Sequence, residues 1–573
     1  MKDKQEFHQL LSEINGQNFS EYARIIGDFD FSRYVVKFNR VPAEGEGNSV
    51  LFVVRVPQAV AEFPPHLTNT PIRRTALEDL LTRRMAEAIE RTSVYDHEGV
   101  SRRRISIAVP GQKILPRSSL VVADEFVEAR LTCNLPARHG RILGEDAQDV
   151  FFRELPGIVN SSLIYCNLEE REVERFVDLM EDADAVRQAL PTRGLISFVG
   201  EGSRLTRRDR SDLPDLERTQ PLQMAEALRL TVEVPNAGPI RGMGIPSGIT
   251  VILGDAYSGR PELMKALAAG IYNHIPEDGR DYVVSVPDTV YVAAEDRRSV
   301  QRVDISAFVR KNPAGRDVKQ YTVAHADPCA AQAAATAEAL EIGARALLFD
   351  EADSNSGFLC LDSRLKGLSS STDLHFIPLS VRARQIADEL GVSIVVAGAS
   401  SVTEFIPVAD TVLRIDDFQV SDVTREAKAL AIQMNVEVPA DRSDVSGLAE
   451  RSRWVVPSSI DPSQGRYDAV VDAPSVEVLH FGSRDLDLRG LAQLADRHQT
   501  STIGLVLHYA KMRYMDEGRP IREILDLVDR DLSTEGLECL SRELRGDLAR
   551  PRRYEIAAAL NRLPTLRISR VST

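Results

Sequence analysis

From residue 195 onward the chain carries a series of short, almost wholly apolar runs: "LISFVG", "RLTVEVP", "ITVILG", "YVVSV", "ARALLFD" and "VSIVVAG". Longer segments with helical periodicity separate several of them. A strand wetted on one side alternates apolar and polar residues, and a strand buried on both sides does not. Continuous apolar strands alternating with helices therefore predict an α/β fold with a mainly parallel sheet covered on both faces. Residues 228–254 depart from that pattern. "LRLTVEVPNAGPIRGMGIPSGITVILG" reads as strand, turn, strand, turn, strand, an antiparallel lead-in to a buried strand.

The flanking regions read differently. Up to about residue 190, "LFVVRVP" and "RISIAVPG" are strand-like, residues 75–92 form a helix, and residues 146–190 are helical up to the turn "LPTRG". After about residue 438 a polar stretch surrounds the single Trp454 as an irregular linker. Helices are expected beyond it at 488–497, 503–516, 521–528 and 554–563. The expected domains are a mixed α/β unit at 1–194, the parallel-sheet core at 195–438 and a mostly helical unit at 439–573. A 573-residue chain suits three or four domains of about 150 residues.

The net charge of −15 argues against a wholly basic nucleic-acid coat or a membrane-surface protein. Arginines nevertheless cluster at Arg73, Arg74, Arg83, Arg84, Arg102, Arg103 and Arg104, and again at Arg550, Arg552 and Arg553. Solvated faces and helix flanks are the commoner meaning of such runs. The functional meaning is a phosphate-contacting patch for nucleic acid. The five cysteines are scattered and form no C-x-x-C, so neither a disulfide framework nor a cysteine zinc site is suggested. The N-terminus lacks the apolar segment of a signal peptide, and no run of about 18 apolar residues occurs. The expectation is a cytoplasmic protein with no membrane partner.

Two stretches carry chemistry. In "VILGDAYSGRPELMKAL" (251–267) an apolar strand meets Gly254 and Gly259 at the spacing of a phosphate-binding loop, and a helix follows. Such a loop cradles phosphates with backbone amides and a helix N-terminus; a lysine then reaches the phosphates, and a hydroxyl holds Mg²⁺. Here those two positions hold Arg260 and Pro261. Some 90 residues on, "ARALLFDEAD" places Asp350 and Glu351 directly after an apolar strand. An Asp there can hold Mg²⁺ through water and the next Glu can polarise an attacking water; an acidic pair that simply ends a strand is also common. Between the two stretches an Ala-rich helix begins near Ala330, where a helix N-terminus could face a phosphate.

Across its whole length the chain resembles the ATPases of the ABC class, some members of which carry the mistaken label isopentenyl-diphosphate isomerase. Matching stretches include "IRRTALEDLLTRR", "FFRELPGIVNSSLIYCNL", "IRGMGIPSGITVILG", "EALEIGARALLFDEADSN", "VADTVLRIDDF" and "GDLARPRRYEIAAALNRL". The resemblance implies a P-loop ABC-type core between family-specific flanking domains. It also implies ATP and Mg²⁺ as cofactors, and a head-to-tail dimer with two composite sites. The family's Walker A loop, G-G-G-Y-H-G-K-S-T, aligns with Gly254, Asp255, Ala256, Tyr257, Ser258, Gly259, Arg260, Pro261 and Glu262. Its signature, S-G-S-T-S-Q, aligns with Asp327, Pro328, Cys329, Ala330, Ala331 and Gln332. Its Walker B ends in Asp350, the metal position, and Glu351, the catalytic position. Walker B is intact, whereas the loop and the signature are altered, and the family's switch histidine has no counterpart.

Arg keeps the positive charge of the family's Lys but is a planar fork rather than a compact point charge. Pro261 has neither hydroxyl nor N–H. Asp255 and Glu262 add negative charge beside the phosphate seat. These changes predict weak nucleotide binding and little or no ATP hydrolysis, in a scaffold or regulatory member that forms a homodimer or pairs with a related ABC-class protein. The alternatives are an active ATPase using Arg260 in place of the lysine, and a nucleic-acid (RNA)-binding module working through the arginine clusters.

Overall fold

The computed structural model describes residues 1–42, 47–92, 104–208, 211–310, 315–360, 375–399, 401–439, 441, 444–465 and 467–572. The chain divides into two compact units. The first comprises residues 1–181 and 537–550, the second 182–536 and 551–573.

In the first unit the strands Gly27–Asp30, Val35–Phe38, Ser49–Pro57 and Phe126–Asn134 form an antiparallel meander. Its central register pairs Phe52 with Leu131 and Val54 with Ala129. Phe29, Phe38 and Phe52 on its strands cluster with Phe7 and Phe151 in tilted, stacked and edge-on pairs. The helix Pro71–Thr92 buries Leu77, Leu80, Leu81, Met85 and Ile89, a 3.6-residue stripe. The run "RISIAVPG" supplies only the two-residue strand Ile105–Ser106. The segment expected to be helical at 146–190 is broken. A wide π-type stretch, Asp149–Glu154, leads into Leu155–Ser162, and a gap precedes Glu170–Ala189. Pro156 has no amide to offer the preceding turn, which accounts for the widening.

The second unit divides the six apolar runs between two sheets, where the sequence suggested a mainly parallel sheet with an antiparallel lead-in at 228–254. Ile249–Leu253, Ala346–Asp350 and Ser393–Gly398 do share a mainly parallel seven-stranded sheet, with Ser393–Gly398 between the other two. Thr411–Asp416 lies parallel on the far side of Ile249–Leu253 and turns back antiparallel into Gln419–Asp422. Arg229–Val234 and Gly238–Pro246 pair antiparallel as the lead-in predicted, and Leu195–Gly200 and Val283–Ser285 join them in a four-stranded antiparallel sheet rather than in the parallel one. The helix Arg260–Ala269 packs Leu263, Met264 and Leu267 into one core with Ile252, Leu348 and Val395 of the parallel sheet.

The C-terminal region departs from expectation in three places. Trp454 sits in a strand, Arg453–Val455, paired with Ile568–Val571, rather than in an irregular linker. A three-stranded hairpin sheet, Val471–Ser475, Val478–Phe481 and Arg484–Asp487, had no sequence signal. Residues 488–496 are irregular, and the helix begins at Arg497, where the Asp496 carboxylate caps it by accepting from the amides of His498 and Gln499. The helices Ile521–Thr534 and Arg553–Arg562 lie where they were expected. Among the described residues no helix is long and apolar enough to cross a membrane.

Candidate functional site

The loop from Gly254 to Gly259 joins the Ile249–Leu253 strand to the Arg260–Ala269 helix. Gly254 donates its amide to the Gly398 carbonyl at 3.2 Å, and the Ser258 carbonyl accepts from the Phe418 amide at 2.9 Å. Ser258 is buried and turns its hydroxyl onto the Asp255 carbonyl at 2.7 Å. Between these anchors Asp255, Ala256 and Tyr257 are exposed, Tyr257 by 96%. Gly259 has φ +93°, and a Cβ there would lie 2.8 Å from the Phe418 ring. Both the conformation and the contact require glycine. Phe418 was not anticipated. With Asp417 it makes a two-residue turn in which both φ values are positive, without the Asn or Gly that announces such turns.

Arg260 begins the helix and is 4% exposed. Its guanidinium folds inward: Nη1 donates to the Gly254 carbonyl at 2.8 Å and lies 3.8 Å from Glu351 Oε2, while Nη2 lies 3.4 Å from Asp350 Oδ1. The phosphate-loop helix and the acidic strand end are therefore joined through one cation, as the strand order requires. Asp350 is 2% exposed, and its Oδ1 also accepts from the Ala352 amide at 2.9 Å. Burial lifts its carboxyl above the ordinary range, while the Ala352 amide and Arg260 pull it back. Glu351 is half-buried; its Oε2 accepts from the Ala399 amide at 2.6 Å. Pro261 sits in the first helical turn, where its missing N–H costs least, and Glu262 is half-buried beside it.

The stretch aligned with the signature opens the Pro328–Glu341 helix. Asp327 is its N-cap and accepts from the Ala330 amide at 3.0 Å. Cys329 is buried, which pushes its thiol up to about 12. Gln332 is fully buried. It donates to the Val292 carbonyl (3.2 Å) and the Ser354 hydroxyl (2.9 Å) and accepts from the Asn355 amide (2.9 Å). That amide side chain braces the segment that follows Glu351.

The arrangement does not fit Mg²⁺. The ion needs near-octahedral oxygen coordination at about 2.0–2.1 Å. Pro261 offers no hydroxyl, and the Ser258 hydroxyl is turned onto its own loop. A guanidinium already stands against Asp350 and Glu351. Among the described residues no group of three His, Cys, Asp or Glu could hold a metal ion.

Seven of the arginines of the basic clusters stand in ion pairs. Arg73 contacts Asp178 and Glu181, Arg74 contacts Asp124, Arg83 contacts Asp79, Arg84 contacts Glu87 and Glu172, and Arg104 contacts Asp146. Arg552 pairs with Glu555 and Arg553 with Asp526. Arg102, Arg103 and Ser400, the last in the run that follows the Ser393–Gly398 strand, lie outside the described residues.

Comparison with known proteins bears on this geometry. Residues 4–166 match the family profile described as ATPase of the ABC class N-terminal, 169–451 the profile of its P-loop domain, and 470–569 that of an MRB1590 C-terminal domain. No curated protein matches the chain. Among solved structures it is similar to cbiO1 from Clostridium perfringens, described as part of the ABC transporter complex cbiONQ. That match has 14% identity over 43% of this chain and 96% of that one, with a TM-score of 0.25, and no conclusion rests on it. On the N-terminal and P-loop matches together, the chain belongs to the family of ATPases of the ABC class.

Proposed function

We propose that this chain is a nucleotide-site member of the ABC-class ATPases in which hydrolysis has been lost, acting as a regulator or scaffold. The observation that carries this reading is Arg260. It takes the lysine position, and its guanidinium is spent on the Gly254 carbonyl and the two carboxylates instead of projecting toward a ligand. Residues 254–262 form the nucleotide loop, with Asp350 at the metal position and Glu351 at the position that would polarise water. Asp327, Pro328, Cys329 and Gln332 are the altered signature, which in a head-to-tail dimer would complete the partner's site. Asp327 supports the reading, since its carboxylate neutralises the helix N-terminus that would otherwise meet a phosphate. Losing one preorganised donor to transition-state charge costs about 3–4 kcal/mol, so several losses leave little turnover. We take the chain's domains as 1–194, 195–438 and 439–573. Five free thiols suit a reducing cytoplasm.

The competing reading, an active enzyme, draws on the survival of Asp350 and Glu351. An assay at saturating MgATP decides between them. We expect no turnover, and turnover that disappears in Glu351→Gln would overturn the proposal. ATP binding should be weak in the unmodified chain and strengthened by Arg260→Lys with Pro261→Ser, Asp255→Gly and Glu262→Thr, and hydrolysis should return only when Asp327→Ser and Pro328→Gly are added. Light scattering should show no strong ATP-induced dimer of the unmodified chain. The nucleic-acid reading is weakened by the ion pairs that hold Arg73, Arg74, Arg83, Arg84, Arg104, Arg552 and Arg553.

A further inference from the structure

The start of the Arg260–Ala269 helix and the acidic end of the Ala346–Asp350 strand converge on a single cation. The Arg260 guanidinium contacts the Gly254 carbonyl, Asp350 and Glu351 at 2.8, 3.4 and 3.8 Å. The same carboxylate oxygens are also held by backbone amides, Ala352 on Asp350 and Ala399 on Glu351. A metal entering here would have to expel a side chain that is 4% exposed and would find no hydroxyl at Pro261. A buried carboxylate still needs a countercharge, and the guanidinium supplies it permanently.

We propose that the Arg260 guanidinium is a built-in cation standing in place of the metal, so that nucleotide enters this loop without a divalent ion. The inference rests on the nucleotide-site reading above and sharpens it. A loop that kept its metal would show affinity that tracks magnesium. A loop whose cation is covalently part of the chain is indifferent to chelation, and the acidic pair is closed to added metal unless Arg260 is removed.

Two measurements on the full chain test this. The first is equilibrium dialysis of radiolabelled ATP in magnesium and in EDTA. We expect equal affinity within about twofold, whereas a loss of about tenfold or more in EDTA would overturn the proposal. Arg260→Lys with Pro261→Ser should make the affinity magnesium-dependent. The second is electron paramagnetic resonance of Mn²⁺ without nucleotide. The unmodified chain should bind no Mn²⁺ that Asp350→Asn abolishes, while Arg260→Ala should gain such a site. If the alanine variant fails to fold, Arg260→Gln, which retains a donor for the Gly254 carbonyl, replaces it. Mn²⁺ held by Asp350 in the unmodified chain, or none in the Arg260 variants, overturns the proposal. If ATP binds in neither buffer, the nucleotide-site reading fails, and the Mn²⁺ measurement decides the built-in cation by itself.

Discussion

Removing the Arg260 side chain should destabilise the second unit in a way that depends on the ionisation of Asp350. Arg260→Ala deletes the countercharge of a carboxylate that is 2% exposed. Two unit charges about 4 Å apart at an effective dielectric near 20 interact by about 4 kcal/mol. Breaking a buried pair from one side typically costs about 3–5 kcal/mol. The contact is long at 3.4 Å and Asp350 keeps the Ala352 amide, so we expect the low end, about 3 kcal/mol. The cost requires an ionised Asp350. Burial already holds that carboxyl above its ordinary value, and Arg260 opposes the shift, so deleting Arg260 raises it further. The deficit is therefore complete above the raised value. It shrinks as the pH falls through that value toward the ordinary aspartate range, where the carboxyl is protonated in both folded and unfolded chains. Asp350→Asn in the same chain should recover about 2 kcal/mol. Urea unfolding followed by Trp454 fluorescence reports the second unit, because the indole lies in its Arg453–Val455 strand and bonds the Gly518 carbonyl. A deficit that stays constant from neutral to acidic pH, with no recovery from Asp350→Asn, would refute this reasoning.

Three other outcomes are expected. In the first unit, Glu78 is pushed up to about 7 by burial, so its ionisation weakens the fold as pH rises from about 4.5 to 7; Glu78→Gln keeps the acceptor for the Val122 amide and should gain about 2–3 kcal/mol above neutrality and nothing at acid pH, read by exchange of that amide. Gln332→Ala leaves the Asn355 amide without its acceptor and opens a cavity, costing about 2–4 kcal/mol and lowering the melting temperature by calorimetry. Gly259→Ala should cost about 2 kcal/mol or more, because φ is +93° and its Cβ would meet Phe418; Phe418→Leu should recover only the steric share, as judged by urea midpoints.

Much of the site was legible in the sequence because its spacing is covalent. Two glycines five residues apart after an apolar run, and Asp-Glu closing another such run, fix a loop and an acidic strand end wherever the strands lie. The mainly parallel sheet was read correctly, but Leu195–Gly200 and Val283–Ser285 were misplaced in it for a physical reason. Leu195–Gly200 is antiparallel, yet Ile196 and Val199 pack into one core and Phe198 into another. A strand covered on both faces reads the same whichever way its neighbours run. Residues 488–496 have apolar periodicity, but Gly490 lies tight against Glu295 and Gln493 spends its amide on the Tyr291 amide and the Ala268 and Thr289 carbonyls. Those tertiary bonds override local propensity. Phe418 was invisible because nothing local marks a left-handed pair of non-glycine residues. The direction of the Arg260 side chain was invisible because it is settled by carboxylates 90 residues away.

The loop's two anchors, Gly254 on Gly398 and Ser258 on Phe418, also set a timescale. Both bonds run to strands or turns of the central sheet, whose opening requires breaking core packing. The amides of Asp255, Ala256 and Tyr257 lie between those anchors on exposed residues. In hydrogen exchange these three should lose their protons at rates near those of free peptide, while the anchoring Gly254 and Phe418 amides hold theirs for as long as the sheet does. Slowing confined to that triplet on adding a ligand would then act as a clock for occupancy, readable without any catalytic turnover.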